Sequence, residues 1–348
     1  MKKKINTLMS HLNEKVILTP QELKELYPCN ERLQEQIYTS RQTISSIIKG
    51  SDDRFLLVCG PCSIHDTQVA MQYAYNLKKL AHQIQDRIYI VMRVYFEKPR
   101  TTIGWKGFIN DPYIDNSFDI EAGFKIARHL LLELSKLGIP LGTETLNPYT
   151  PAYLADLFSW MAIGARTTES QIHREIASGL SMPVGFKNST NGNLETAINA
   201  IITSAIPHRF VSISQNGRVC LLQTAGNPDG HIILRGGITP NYNSQSISTC
   251  ETTMIQAGLH PAIMVDCSHD NSNKDYRQQP NIAKSVVIQR KTGNRSIMGL
   301  MLESNLYEGN QPFEPSPEGR RYGVSLTDAC ISWETTEALL NELYKDLE

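Results

Sequence analysis

The chain has 348 residues, and its 34 lysines and arginines nearly cancel 35 aspartates and glutamates to a formal net charge of −1, which argues against nucleic acid as its main partner because phosphate binding normally leaves a basic excess. No run of about 18 uncharged apolar residues occurs, so no membrane span is expected, and the lysine-bearing start has no apolar stretch of signal-peptide length. Seven cysteines (29, 59, 62, 220, 250, 267 and 330) fall at no disulfide-framework spacing, so they read as reduced thiols of a cytoplasmic protein.

Residues 1–50 are polar and helical in pattern, with a turn near Pro20 and a break at Tyr27-Pro28. They hold too few apolar residues for a core of their own and read as an N-terminal extension. From Phe55 onward, β-rich apolar runs fall at 55–59, 88–95, 141–145, 161–165, 184–187, 231–236, 262–267 and 296–302. Amphipathic helical stretches, such as 66–85, 117–137, 169–180, 244–259 and 333–346, lie between them. Strand–helix units in this number predict parallel strands and crossover helices, an α/β fold closed into a (β/α)8 TIM barrel over 51–348. The runs 209–214 and 219–224 flank Gln215-Asn216-Gly217. That is the signal of a β-hairpin inserted at about 209–224, before the sixth barrel strand.

Chemically capable residues sit at or just past nearly every strand end. They are Cys62 and His65, Arg93 with Lys98 and Arg100, Glu144, Arg166, Lys187, Arg235, Asp266 with His269, and Glu303, with Asp328 on the loop that follows. In a barrel all of these converge on one face, the one that carries active sites. Any one of them alone reads as a charge capping a solvated rim; the whole set does not. Arg93, Lys98, Arg100, Arg166, Lys187 and Arg235 would repel one another in an empty mouth and make sense around a small, highly charged anion. Arginine forks match phosphate and carboxylate, so a substrate carrying both is implied. Cys62, His269, Glu303 and Asp328 form a sulfur, nitrogen and oxygen set that suits Zn2+, Fe2+, Mn2+ or Co2+ without discriminating among them. Cys59-Gly60-Pro61-Cys62 also matches the CxxC redox pattern. Its first cysteine ends a strand rather than opening a helix, which ranks a thiol-disulfide oxidoreductase low.

Several motifs carry a family resemblance. GPCSIHD (60–66), MRVYFEKPRTTIGWKG (92–107), GARTTESQIHRE (164–175), GFKN (185–188), HIILRGG (231–237), DCSH (266–269), ES (303–304) and SLTDACISWE (325–334) resemble the type I 3-deoxy-D-arabino-heptulosonate 7-phosphate (DAHP) synthases. The resemblance covers about residues 5–345 and points to the feedback-regulated subclass, with stretches such as SMPVGFKN and PHRFV most like its tyrosine-sensitive branch. It implies condensation of phosphoenolpyruvate with D-erythrose 4-phosphate and water to DAHP and phosphate, the step that opens the shikimate pathway to aromatic amino acids. It further implies one divalent metal ion (Mn, Fe, Co or Zn), an aromatic amino-acid effector with tyrosine favoured, and a homodimer or homotetramer.

Matched motif by motif, the resemblance makes Cys62, His269, Glu303 and Asp328 metal ligands. It makes Arg93, Lys98, Arg166, Lys187 and Arg235 phosphoenolpyruvate-binding groups, with Glu144 in the same pocket. Lys98 would also be a proton donor near the reacting carbons, and Arg100 and Thr101 would belong to the erythrose 4-phosphate site. Pro151, Leu180, Ser181, Phe210, Ser212 and Leu222 match an effector pocket between barrel, hairpin and extension. One departure stands beside the metal set: Asp270 follows His269 where the family has a small residue. The sister reaction with arabinose 5-phosphate is disfavoured, since that family resembles a different sequence at Lys98-Pro99-Arg100-Thr101.

Overall fold

The computed structural model of the chain describes residues 14–100, 104–313 and 319–348. Among its described residues the extension forms two helices, α1 (Pro20–Leu26) and α2 (Glu31–Ile48). Pro20 is not a turn, as its sequence context predicts, but the first helical residue, where its missing N–H costs nothing. Thr19 and Glu22 close a capping box around it. Asn30 caps α2 by accepting from the Leu33 amide.

The barrel strands are β1 (Phe55–Gly60), β2 (Ile88–Arg93), β3 (Leu141–Glu144), β4 (Trp160–Ile163), β5 (Val184–Lys187), β8 (Gly230–Leu234), β9 (Ile263–Asp266) and β10 (Ile297–Glu303). Each pairs in parallel with its neighbours, and among the described residues they close in the order β1-β10-β9-β8-β5-β4-β3-β2. The helices between them are α3 (Thr67–Ile84), α4 (Ile120–Lys136), α5 (Thr150–Leu154), α6 (Gln171–Gly179), α7 (Glu195–Ser204), α8 (Ser244–Gln256), α9 (Gln279–Lys291) and α10 (Trp333–Asp346). The hairpin β6 (Arg209–Ile213) and β7 (Val219–Gln223) is a separate antiparallel pair, inserted between α7 and β8.

Strand residues alternate between two buried environments, as expected when both faces are covered. Leu57, Cys59, Ile90 and Met92 pack under the helices. Leu56, Val58, Val91, Trp160, Ala162, Ile233, Met264 and Met301 fill the barrel interior together with Ile44, Ile47 and Ile48 of α2. The end of the extension therefore closes the barrel floor, its three isoleucines spaced to share one helical face. Trp160 fits only because a Cβ at Gly142 would stand 2.9 Å from its ring. The Trp160 indole N–H donates to Nε2 of His231 at 3.1 Å, and burial lowers the pKa of that histidine to about 4, keeping it neutral.

Polar clasps hold the extension in place. Arg128 donates to the Tyr27 and Tyr153 carbonyls and to both oxygens of Asp156. Arg41 donates to the Ala155 and Phe158 carbonyls and to Oγ of Ser181. The hairpin tip meets α1, where the Gln21 amide donates to the Gln215 carbonyl at 2.8 Å and Lys24 Nζ to the Gln215 side chain at 2.7 Å.

Candidate active site

The carboxyl ends of the strands open onto a cavity of about 670 Å3, lined by residues from nearly every strand end. A second cavity of about 440 Å3 lies at the opposite end. Its charges are largely spent on one another, Arg54 on Asp52 at 2.6 Å and Arg87 on Glu348 at 3.0 Å, and no metal-capable set converges there among the described residues. The mouth is therefore the candidate site.

Cys62 follows β1 after Gly60, whose Cβ would stand 3.0 Å from the Arg93 carbonyl, so the turn hugs the end of β2. The Cys62 side chain is fully buried. Its thiol donates to Oδ2 of Asp328 at 3.5 Å, and Lys98 Nζ donates to the sulfur at 3.1 Å and to the Cys62 carbonyl at 3.3 Å. Burial, then the Glu303 carboxylate, push the thiol up to about 12. Burial disfavours the Lys98 ammonium, yet Cys62, Asp328 and Glu303 together outweigh it and hold Lys98 charged. The same exchange runs the other way at Asp328, whose desolvation is overcome by Lys98 and His269 so that its pKa falls. Ligand atoms of Cys62, Glu303 and Asp328 all lie within 4.8 Å of one another. His269 is placed beside them, its Nε2 4.0 Å from Oε1 of Glu303. One soft and two hard donors with an imidazole at the edge, two of them carboxylates held together at a buried thiol, fit a divalent cation.

Glu303, the last residue of β10, is fixed by Gln279 at the start of α9. The Gln279 amide donates to the Glu303 carbonyl at 3.0 Å and accepts from its N–H at 2.8 Å. Asp266, the last residue of β9, takes Lys187 Nζ at 2.8 Å and stands 2.9 Å from Nδ1 of His269. Burial opposes its ionisation, but His269 and Lys187 hold it well below the usual carboxylate range. Neither Gln279 nor Asp266 stands among the residues that the motifs assign a role. The signal for Asp266 is its position three residues before His269 at a strand end; Gln279 has none, because a polar residue opening a helix is ordinary.

Most of the predicted cations are placed together, with a difference. Arg93 donates to Glu303 at 3.1 Å, and its guanidinium stacks 4.0 Å above the Tyr95 ring. Lys187 is paired with Asp266, and Arg235 with Asp270. Internal carboxylates thus neutralise three of the cations that the sequence predicts to be waiting for an anion. Arg166 is exposed on the turn after β4 and lines the cavity, as does Glu144. A Cβ at Gly164 would stand 2.2 Å from Oε1 of Glu144, so any other residue there would push that carboxylate from its present place. Arg100 lines the cavity while its Nε donates back to the Trp105 carbonyl at 2.7 Å. Thr101 lies outside the described residues.

The matched effector residues are more spread. Phe210 and Leu222 face each other across the hairpin, with Ser212 two residues on. The hairpin base meets the end of α6 where Ser178 and Thr224 share a hydrogen bond of 2.7 Å, next to Leu180 and Ser181. Pro151 lies on α5, and Arg41 of the extension spans from the segment after α5 to Ser181. The CxxC thiols do not form a redox pair. Cys59 packs under the helices with its sulfur 3.3 Å from the Tyr73 hydroxyl, Cys62 lies at the mouth, and all seven cysteines are free.

The sequence profile of the DAHP synthetase I family matches residues 29–341. The Tyr-sensitive phospho-2-dehydro-3-deoxyheptonate aldolases of Escherichia coli (strain K12) and Salmonella typhimurium are each 63% identical over 335 residues, 96% of this chain and 94% of theirs. The Phe-sensitive enzyme of Escherichia coli is 51% identical over 329 residues, 94% of each chain. The solved structure of phospho-2-dehydro-3-deoxyheptonate aldolase from Francisella tularensis SCHU S4 superposes with a TM-score of 0.94 at 44% identity, covering 97% of this chain and 98% of that one.

Proposed function

The chain belongs to the DAHP synthetase I family, and from that premise we propose that the barrel mouth is where it condenses phosphoenolpyruvate with D-erythrose 4-phosphate and water to give DAHP and phosphate. The observation that carries this assignment is the convergence of Cys62, Glu303 and Asp328 with Lys98 at the edge of a cavity lined by Arg166, Lys187 and Arg235. A divalent ion held by Cys62, His269, Glu303 and Asp328 would supply Lewis-acid polarisation of the aldehyde.

The protein groups do the rest. Arg93, Arg166, Lys187 and Arg235 hold the carboxylate and phosphate of phosphoenolpyruvate, turning an encounter of two anions into an oriented one. Carbon 3 of phosphoenolpyruvate bonds to the aldehyde carbon, and Lys98 gives its proton to the aldehyde oxygen. Water adds to carbon 2, whose developing positive charge Glu144 offsets, and its two protons go one to restore Lys98 and one to the departing phosphate. The carbon–oxygen bond to phosphate then breaks, and the phosphate leaves with the electron pair. Arg100 and Thr101 receive the phosphate of the sugar.

Regulation and assembly are part of the proposal. The names of the 63% identical relatives favour tyrosine as the effector. Pro151, Leu180, Ser181, Phe210, Ser212 and Leu222 would bind it where hairpin, α6 and extension meet. Val211, Val219 and Leu221 are more than two-thirds exposed on the hairpin, an apolar strip that fits a homodimer or homotetramer contact. No helix among the described residues is long and apolar enough to cross a membrane, and the free thiols suit work in the cytoplasm.

A coupled assay tests the function. Phosphate should be released only when phosphoenolpyruvate and erythrose 4-phosphate are both present, and tyrosine should inhibit more than phenylalanine or tryptophan. Turnover with arabinose 5-phosphate in place of erythrose 4-phosphate would overturn the reading.

A further inference from the structure

Asp270 puts a carboxylate against one of the cations of the cavity. It lies in the turn after β9, lines the same cavity as Arg166, Lys187 and Arg235, and forms an ion pair with Nη1 of Arg235. Both partners are largely shielded, the Arg235 side chain 9% exposed and that of Asp270 24%. The pairing is no accident of a loose loop. His269 takes a left-handed φ of 54° just before it. Asn271 just after it is 2% exposed and donates to the Leu234 and Asp266 carbonyls at 3.1 and 2.9 Å. Gly236, at φ 79°, packs so closely that a Cβ there would stand 2.9 Å from Cβ of Asp270. The backbone on both sides is therefore fixed with the carboxylate on the guanidinium.

We propose that Asp270 is a resident counter-anion of the phosphate subsite, which an incoming phosphate must displace from Arg235. This rests on the assignment of Arg235 to the substrate anion. A carboxylate a few ångströms from an arriving phosphate repels it, and the loss of its own ion pair adds to that cost. Asp270 thus lowers the affinity of the mouth for phosphoenolpyruvate, and lowers it equally for the inorganic phosphate released, so the product leaves faster. A chain with a small residue at this position lacks both effects.

The test is to measure Kd for inorganic phosphate by calorimetry, and KM for phosphoenolpyruvate, on the metal-loaded enzyme and its Asp270→Ala and Asp270→Asn variants. The asparagine keeps the shape and loses the charge, which guards against a folding artefact. Both variants should bind phosphate about tenfold more tightly and show a KM lower by a similar factor. Unchanged values would overturn the proposal. So would a raised KM in the alanine variant with the asparagine variant unchanged, since Asp270 would then be orienting Arg235 rather than competing for it. Arg235→Ala separates the two levels: if it leaves phosphate affinity unchanged, the assignment of Arg235 itself falls and the counter-anion falls with it.

Discussion

Lys98 touches more of the proposed chemistry than any other side chain: it donates to the sulfur and the carbonyl of Cys62, and three acidic groups keep it charged in spite of burial. Those neighbours make its ammonium a reluctant acid, and a cation bound by the same three groups would relieve their pull and let Lys98 release its proton. Replacing it with alanine should lower kcat by about 10² to 10⁴-fold, the usual worth of a positioned proton donor, while the melting transition shows the enzyme still folded. Activity near that of the parent would remove Lys98 from the reaction. The cations were legible in sequence because each stands at a strand end or on the loop that follows it, where a barrel collects its chemistry. Their partners were not. The pairs Arg93–Glu303, Lys187–Asp266 and Arg235–Asp270 join residues 35 to 210 positions apart in the chain, and pairing across a barrel leaves no local pattern.

At the scale of elements, α9 steers the site although it contributes no group to the reaction. Its first residue, Gln279, is fully buried and bonds both the N–H and the C=O of Glu303. Gln279→Ala would leave the buried N–H of Glu303 unpaired, at about 1–3 kcal/mol, while the Glu303 carbonyl keeps the Ile331 N–H at 3.0 Å, so the melting temperature should fall. A purely structural role would end there. A positioning role predicts, in addition, metal affinity weaker by about 10 to 100-fold in a direct titration; unaltered affinity in the folded variant would refute it. Strand and helix positions followed from β-rich apolar runs and amphipathic spacing, and the hairpin from its Asn-Gly turn. What such patterns cannot show is where an extension docks. Ile44, Ile47 and Ile48 look like one apolar face of an isolated helix, and only the closed barrel supplies the floor they fill.

Across the whole molecule, residues from position 62 to position 328 are gathered by strands of both halves of the barrel onto one mouth, with the extension sealing the other end. Fold and mouth were legible because the strand-end positions and the family motifs coincide. The residues proposed for the effector were less so, since they lie on elements joined by clasps such as Arg41 to Ser181 rather than by a shared motif. The most direct measurement of the central claim is anomalous diffraction from crystals of the enzyme soaked with Mn2+ and phosphoenolpyruvate. A single strong peak is predicted within bonding reach of Cys62 Sγ, His269 Nε2, Glu303 and Asp328, with the phosphoenolpyruvate density against Arg166 and Arg235. A peak elsewhere, or none beside Cys62, would contradict it.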